Sequence, residues 1–383
     1  MANKQQSTLR PKTFDSPDFL LLDRRHKLPA AMTIHEKTVR RYDIDWLRVI
    51  AIGLLLIYHV AIGFQPWGRM IGFITSNESW DALWRPMALL NIWRIPLLFF
   101  VSGMGVYFAM RTRTWKQLIG ERSLRILLPF VFGMFAIVPL HILVLRQYYD
   151  MALLYSWSPG HLWFLGNIFC YVLLLSPVFY YLRKNESGKL VSWIKKTLSR
   201  PWGLLLVLAA FMGEILLLNP IPFELYAMTW HGFVLGLLAF FFGFCFVLSG
   251  DGFWTMIQRW RWAFVGIAVA LYAYRMIFFT PFPSGYLLAP ESLCWILSVF
   301  AFGSLYLNKP GKALTYLSEA AYPVYILHMI FLYLGSVWIF PLTIPVELQF
   351  VLVLLITLGG SFGTFEVIRR VRFLRPLFGL KLS

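Results

Sequence analysis

The stretch DWLRVIAIGLLLIYHV, Asp45 to Val60, decides the fold of this chain. Apart from Asp45, Arg48 and His59 it is apolar, and with its flanks it supplies the roughly 20 residues that a helix needs to cross the hydrocarbon core of a bilayer. Working outward, further segments of the same length and character lie near 88–109, 124–145, 161–182, 202–219, 228–249, 260–279, 288–308, 319–340 and 346–366. With the first, near 45–64, they predict an all-α polytopic membrane protein of about ten transmembrane helices. Pro129, Pro139 and Pro323 fall inside spans and predict local kinks whose freed carbonyls neighbours must satisfy.

Composition agrees. Of 383 residues, 59% are hydrophobic and 14% charged, against about 25% charged in a soluble domain. Sixteen Trp and 18 Tyr suit two interfacial aromatic belts. A net charge of +17 invites a nucleic-acid reading, but such a binder gathers its cations on one soluble face. Here they fall in short loops, so no nucleic-acid partner is expected. Cys170, Cys245 and Cys294 lie in apolar segments without metal-ligand spacing, which predicts no disulfide and no metal.

All but six of the 35 Lys and Arg fall in the amino-terminal tail, in alternate loops and at the carboxyl end; Arg69, Arg85, Arg94, Arg146 and Arg275 are on the other side and Arg48 is within the first helix. Cations near the ends of spans are retained in the cytoplasm, so both termini are expected there. The chain then reads as a polar, basic, mobile tail over 1–44, one membrane domain over 45–370 and a short basic cytoplasmic carboxyl end over 371–383. No signal peptide is expected in the first 44 residues, so the first helix should direct insertion.

An ionisable group in the middle of a span costs about 2.5 kcal/mol or more, which makes each one a candidate for function. Arg48 and His59 are eleven positions apart, returning to within about 20° of one face and about 16 Å apart along the axis. Asp45 lies on the same stripe and can pair with Arg48. Two readings stand for each: Arg48 snorkels to headgroups or binds a substrate anion, and His59 makes a packing hydrogen bond or does chemistry. Arg122 and Arg125, one turn apart at an expected cytoplasmic helix start, are either ordinary cytoplasmic cations or a phosphate clamp.

His328 shares a face with Tyr325 in the ninth span and reaches the depth of His59; it is either a core hydrogen-bonding residue or an acceptor-side one. Arg94 and Glu214, at comparable depth, are expected to pair or to face substrate. His141, His161 and His231 sit near the outer ends of their spans, with Trp163 and Trp230 beside two of them, which suits sugar binding or interfacial anchoring. The Ser102-Gly103 pair reads as close helix packing. There is no serine elbow, no glycosidase carboxylate pair, no phosphate loop and no HExxH.

Taken in order, Arg48-x10-His59, RIPLLFFVSG (Arg94 to Gly103), Arg122-x-x-Arg125, HLWFL (His161 to Leu165) and AYPVYILH (Ala321 to His328) resemble the acyltransferase-3 family over residues 41 to about 335. The resemblance is to integral membrane enzymes that move acyl groups, commonly acetyl or succinyl, from cytoplasmic acyl-CoA to extracytoplasmic carbohydrate, and within them to a glucan-modifying branch. It implies donor-binding roles for Arg48, Arg122 and Arg125 and an essential role for His59. It also implies acyl-CoA as donor substrate with no bound cofactor, a carbohydrate acceptor, and a multi-pass place in a bacterial inner membrane. The hydrolase-like domain that some members append is expected to be absent. The competing readings are a proton-coupled transporter, which buried Arg, His and Glu also fit, and a membrane scaffold, which leaves Arg48 and His59 unexplained. Direct transfer and a route through an acylated residue both remain open.

Overall fold

The computed structural model describes residues 40–154, 157–278 and 283–382. The tail expected over 1–44 falls outside them except for 40–44, where a helix has already begun. Among the described residues the secondary structure is entirely helical: α1 (Tyr42–Ile62), α2 (Trp84–Met110), α3 (Trp115–Tyr148), α4 (Trp163–Lys184), α5 (Lys189–Leu198), α6 (Leu204–Leu218), α7 (Trp230–Leu248), α8 (Asp251–Ile277), α9 (Gly285–Tyr306), α10 (Lys312–Ile339) and α11 (Val346–Ile368). Among the described residues nine, all but α5 and α8, are long and apolar enough to cross a membrane.

Contacts show that α8 also runs from one end of the bundle to the other, although it holds Asp251, Arg259, Arg261 and Arg275. Near its start, Arg41 stacks on Trp254 at 3.8 Å and Gln258 bonds Ser304 at the end of α9 at 2.9 Å. Near its end, Arg275 reaches Ala88 O at the start of α2 and Glu291 at the start of α9. One helix therefore touches both ends of the bundle. Its 27 residues span about 40 Å. The buried charge of Arg275 is matched by a bidentate carboxylate, which lowers the cost of placing it there.

The same reasoning separates the two ends of the molecule. At the basic end, Tyr42 N donates to Asn308 Oδ1 at 3.0 Å, Tyr180 Oη to Arg113 O at 3.0 Å, and Arg375 pairs with Glu319 at 3.7 Å. At the far end, the connection between α1 and α2 folds back over the bundle. Gln65 Nε2 donates to Trp80 O, Tyr149 Oη to Phe73 O, and Ser76 Oγ to Gln349 Oε1 of α11. The α4–α6 connection, expected as a polar loop, forms the amphipathic α5. Val191, Ile194 and Leu198 are buried on one side while Lys195 and Lys196 lie off that stripe, the pattern of a helix lying in an interface.

Helix α1 packs between α2, α9 and α10. A Cβ on Gly103 would collide with the Phe240 carbonyl, and one on Gly243 with that of Phe100, so α2 and α7 touch backbone to backbone as small residues allow. Helix α3 contains two π turns, Ser123–Leu127 and Gly133–Ile137, each ending two residues before Pro129 or Pro139. A proline ring clashes with the carbonyl four residues back, and a widened turn relieves that clash. These π turns are how α3 accommodates its two internal prolines, while Pro323 stands inside the continuous helix α10.

Candidate active site

The stripe on α1 lines an open cavity of about 650 Å³ through Arg48, Ile52, Leu55 and His59, positions that repeat at helical spacing. Ile95, Leu98 and Ser102 of α2, Trp163 and Phe164 of α4, and Tyr322 and Tyr325 of α10 form the other walls. Few polar groups in an apolar lining are the chemistry of a small-molecule site. Arg48 marks its basic end and bonds Asp45 at 3.5 Å; His59 stands deep within it.

His59 does not stand alone. Its Nδ1 lies 2.9 Å from His328 Nε2, and His328 Nδ1 lies 2.7 Å from the Tyr325 carbonyl. A carbonyl only accepts, so His328 Nδ1 carries its proton and, in the neutral ring, Nε2 is bare. His59 Nδ1 must then donate, which leaves His59 Nε2 as the basic nitrogen. This network assigns the tautomers. His161 Nε2 donates to Ile326 O at 3.0 Å, Tyr325 Oη donates to His161 O, and the rings of His141, His161, His328 and His59 follow one another at 5.1–5.2 Å. The Nδ1 atoms of His141 and His161 are buried without a hydrogen-bond partner among the described residues. No group of metal-binding geometry occurs among the described residues.

The three arginines converge on the basic end, where the charges of Arg48 and Arg125 both act on Arg122. Arg125 is engaged by Glu121 at 3.2 Å, which also holds Arg113 at 2.7 Å, whereas Arg122 Nε is buried with no hydrogen-bond partner among the described residues. One expectation is corrected. Arg122 and Arg125 are not at a helix start, because Thr114 caps α3 upstream with a reciprocal Thr114–Gln117 capping box. The backbone donors beside the two arginines are used within the helix, and only their guanidiniums can serve an anion.

Arg94 and Glu214 do not pair. Arg94 stacks on Tyr58 at 3.6 Å, and Glu214 Oε1 is 2.7 Å from His231 Nδ1, whose Nε2 bonds Phe223 O at 2.8 Å. His231 therefore leaves the group formed by His141 and His161 and belongs to a second polar cluster before α7, where burial raises the Glu224 carboxyl above its ordinary range. Trp163 lines the cavity, while Trp230 is exposed. Sequence reasoning missed the Arg275–Glu291 ion pair, the cavity roles of Ser102 and Tyr322 and the π turns; the spacing of Pro129 and Pro139 was the available signal for the turns.

A family model described as an acyltransferase domain matches residues 41–366, from the residue before α1 to the last turn of α11. The chain belongs to the acyltransferase-3 family. No curated protein and no solved structure matches it. Family membership makes this a membrane acyltransferase, which sets aside the transporter and the scaffold. In an acyltransferase-3 enzyme the arrangement found here has a direct chemical use. Cations at one mouth of a cavity can hold an anionic carrier, and an imidazole with one bare nitrogen, held by a second imidazole, can take a proton at its depth.

Proposed function

We propose that this enzyme takes an acyl group from cytoplasmic acyl-CoA and places it on a hydroxyl of an extracytoplasmic glycan, across a bacterial inner membrane with both termini in the cytoplasm. Acetyl and succinyl are the acyl groups of this reading, and a periplasmic glucan is its acceptor class. The observation that carries it is the single cavity with Arg48 at the basic end and His59 about 16 Å deeper. That depth is comparable to an extended pantetheine arm. Phosphates held by Arg48, Arg122 and Arg125 would thus leave the thioester beside His59.

In the direct route, His59 Nε2 takes the proton of the sugar hydroxyl as its oxygen attacks the thioester carbonyl carbon. The C–O bond forms, the C–S bond breaks, and the departing thiolate receives the proton back from His59. His328 accepts from His59 Nδ1 throughout and so fixes the ring, while Tyr325 holds both His328 and the backbone of His161. Mass spectrometry of surface and periplasmic glycans from a deletion strain tests the reading. Loss of one acyl modification, restored by the wild-type chain and not by His59→Gln, is expected; an unchanged glycan profile would contradict it.

A further inference from the structure

Among the described residues two arginines are buried within the bundle, and their surroundings differ. Arg275 is paired with a carboxylate: Nε and Nη2 bond Glu291 at 2.9 and 2.8 Å, and Nη2 also bonds Ala88 O at 3.0 Å. Arg94 is 2% exposed, yet its Nε and Nη1 have no hydrogen-bond partner and no carboxylate pairs with it among the described residues. Its polar contacts are Asn91 Oδ1 at 3.4 Å through Nη2 and the face of Tyr58. An unpaired guanidinium in such surroundings is expensive, and a charged side chain at membrane depth marks function by default.

Its depth follows from the helix register. Helices α1 and α2 are antiparallel neighbours, and Arg48 Nη2 lies 3.5 Å from where a Cβ on Gly105 would stand. From that contact, His59 is eleven residues further along α1 and Arg94 eleven residues back along α2, about 16 Å in each case. The stacking of Arg94 on Tyr58, the neighbour of His59, shows the same level independently. Arg94 is also one residue before Ile95 and one turn from Leu98, both of which line the cavity. Its position is rigid. Pro96 cannot donate to the carbonyl of Ile92, and Tyr226 Oη at 3.1 Å and Ser292 Oγ at 2.8 Å take that carbonyl instead.

We propose that Arg94 is a catalytic residue whose Nε and Nη1 stabilise the oxyanion formed on the thioester carbonyl oxygen when the acceptor hydroxyl adds. The proposal rests on the reading of His59 as the base. As the hydroxyl oxygen bonds to the carbonyl carbon and its proton moves to His59, the carbonyl electron pair moves to oxygen and meets the two free N–H groups. Collapse returns that pair, expels the thiolate and sends the proton from His59 to sulfur. Whatever the acyl group, this reaction creates an anion at the depth of His59. A fixed donor fork with no protein acceptor among the described residues stabilises that anion more than the neutral thioester, which is the condition for lowering a barrier.

The test compares wild type, Arg94→Gln, Arg94→Lys and His59→Gln in nanodiscs, with acetyl-CoA or succinyl-CoA as donor and glycan from the deletion strain as acceptor. Arg94→Gln should lower kcat by about 10²- to 10³-fold with both donors while KM for the donor stays unchanged. Arg94→Lys, a point charge without the planar fork, should fall between. A kcat like wild type in either variant would overturn the proposal, as would a rise in KM alone. A loss confined to succinyl-CoA would instead make Arg94 a receptor for the carboxylate of a dicarboxylic acyl group. If Arg94→Gln fails to insert, Arg94→Lys decides by the same criteria. Turnover by His59→Gln like that of wild type would overturn the His59 reading itself, a result distinct from inactive His59→Gln beside active Arg94 variants.

Discussion

At the scale of single residues, the account assigns different tasks to groups that share one cavity. Arg48→Ala should weaken acyl-CoA binding by roughly tenfold or more, as expected for one charge-assisted contact worth about 1.5–3 kcal/mol, and should spare kcat. Arg122→Ala should cost more donor affinity than Arg125→Ala, because Arg125 already serves Glu121 while Arg122 Nε has no hydrogen-bond partner among the described residues. Equal effects in a binding titration would contradict that ranking. His328→Ala removes the acceptor that orients His59, so kcat should fall, by less than in His59→Gln, with donor affinity retained. The stripe from Asp45 to His59 was legible in the sequence because helical angle and rise are fixed within one helix. The partners of Arg94 and Glu214 were not, since two residues at equal depth on different helices meet only if their azimuths agree, and side-chain spacing in separate spans does not encode that.

At the scale of elements, Arg275 ties α8 to α2 through Ala88 O and to α9 through Glu291. Glu291→Gln leaves Arg275 buried without its counter-ion and should destabilise by about 3–5 kcal/mol, while replacing both residues by Leu should recover most of that loss. Thermal unfolding in detergent reads both variants; equal stability of Glu291→Gln and wild type would contradict the pairing. Gly103→Leu should separate α2 from α7, because even a Cβ there meets the Phe240 backbone, and should lower the yield of folded protein. Most elements were readable from apolar length alone. The seventh span was readable as a segment, but the partner of its buried charge was not: Arg275 of α8 is matched by Glu291 of the next helix. The π turns of α3 and the amphipathic α5 escaped for a related reason. One depends on how a proline relieves its clash, the other on an apolar stripe of three residues hidden among lysines.

At the scale of the whole molecule, the claim is directional: a donor mouth at the basic end, chemistry about 16 Å inside, and acceptor from the far side, where Phe73 now covers the His59 ring at 5.6 Å. Cysteine substitution at Ser187 tests the orientation, since the proposed function puts the basic connections in the cytoplasm. Labelling there by an impermeant reagent in intact cells would reverse the molecule. The most direct measurement takes one nanodisc preparation each of wild type and His59→Gln and determines both acyl-CoA affinity and single-turnover transfer to glycan. The account predicts equal affinity and a transfer rate lower by about 10²- to 10⁴-fold in the variant, whereas near-normal transfer by correctly inserted His59→Gln would show that the imidazole is structural and the chemistry is elsewhere.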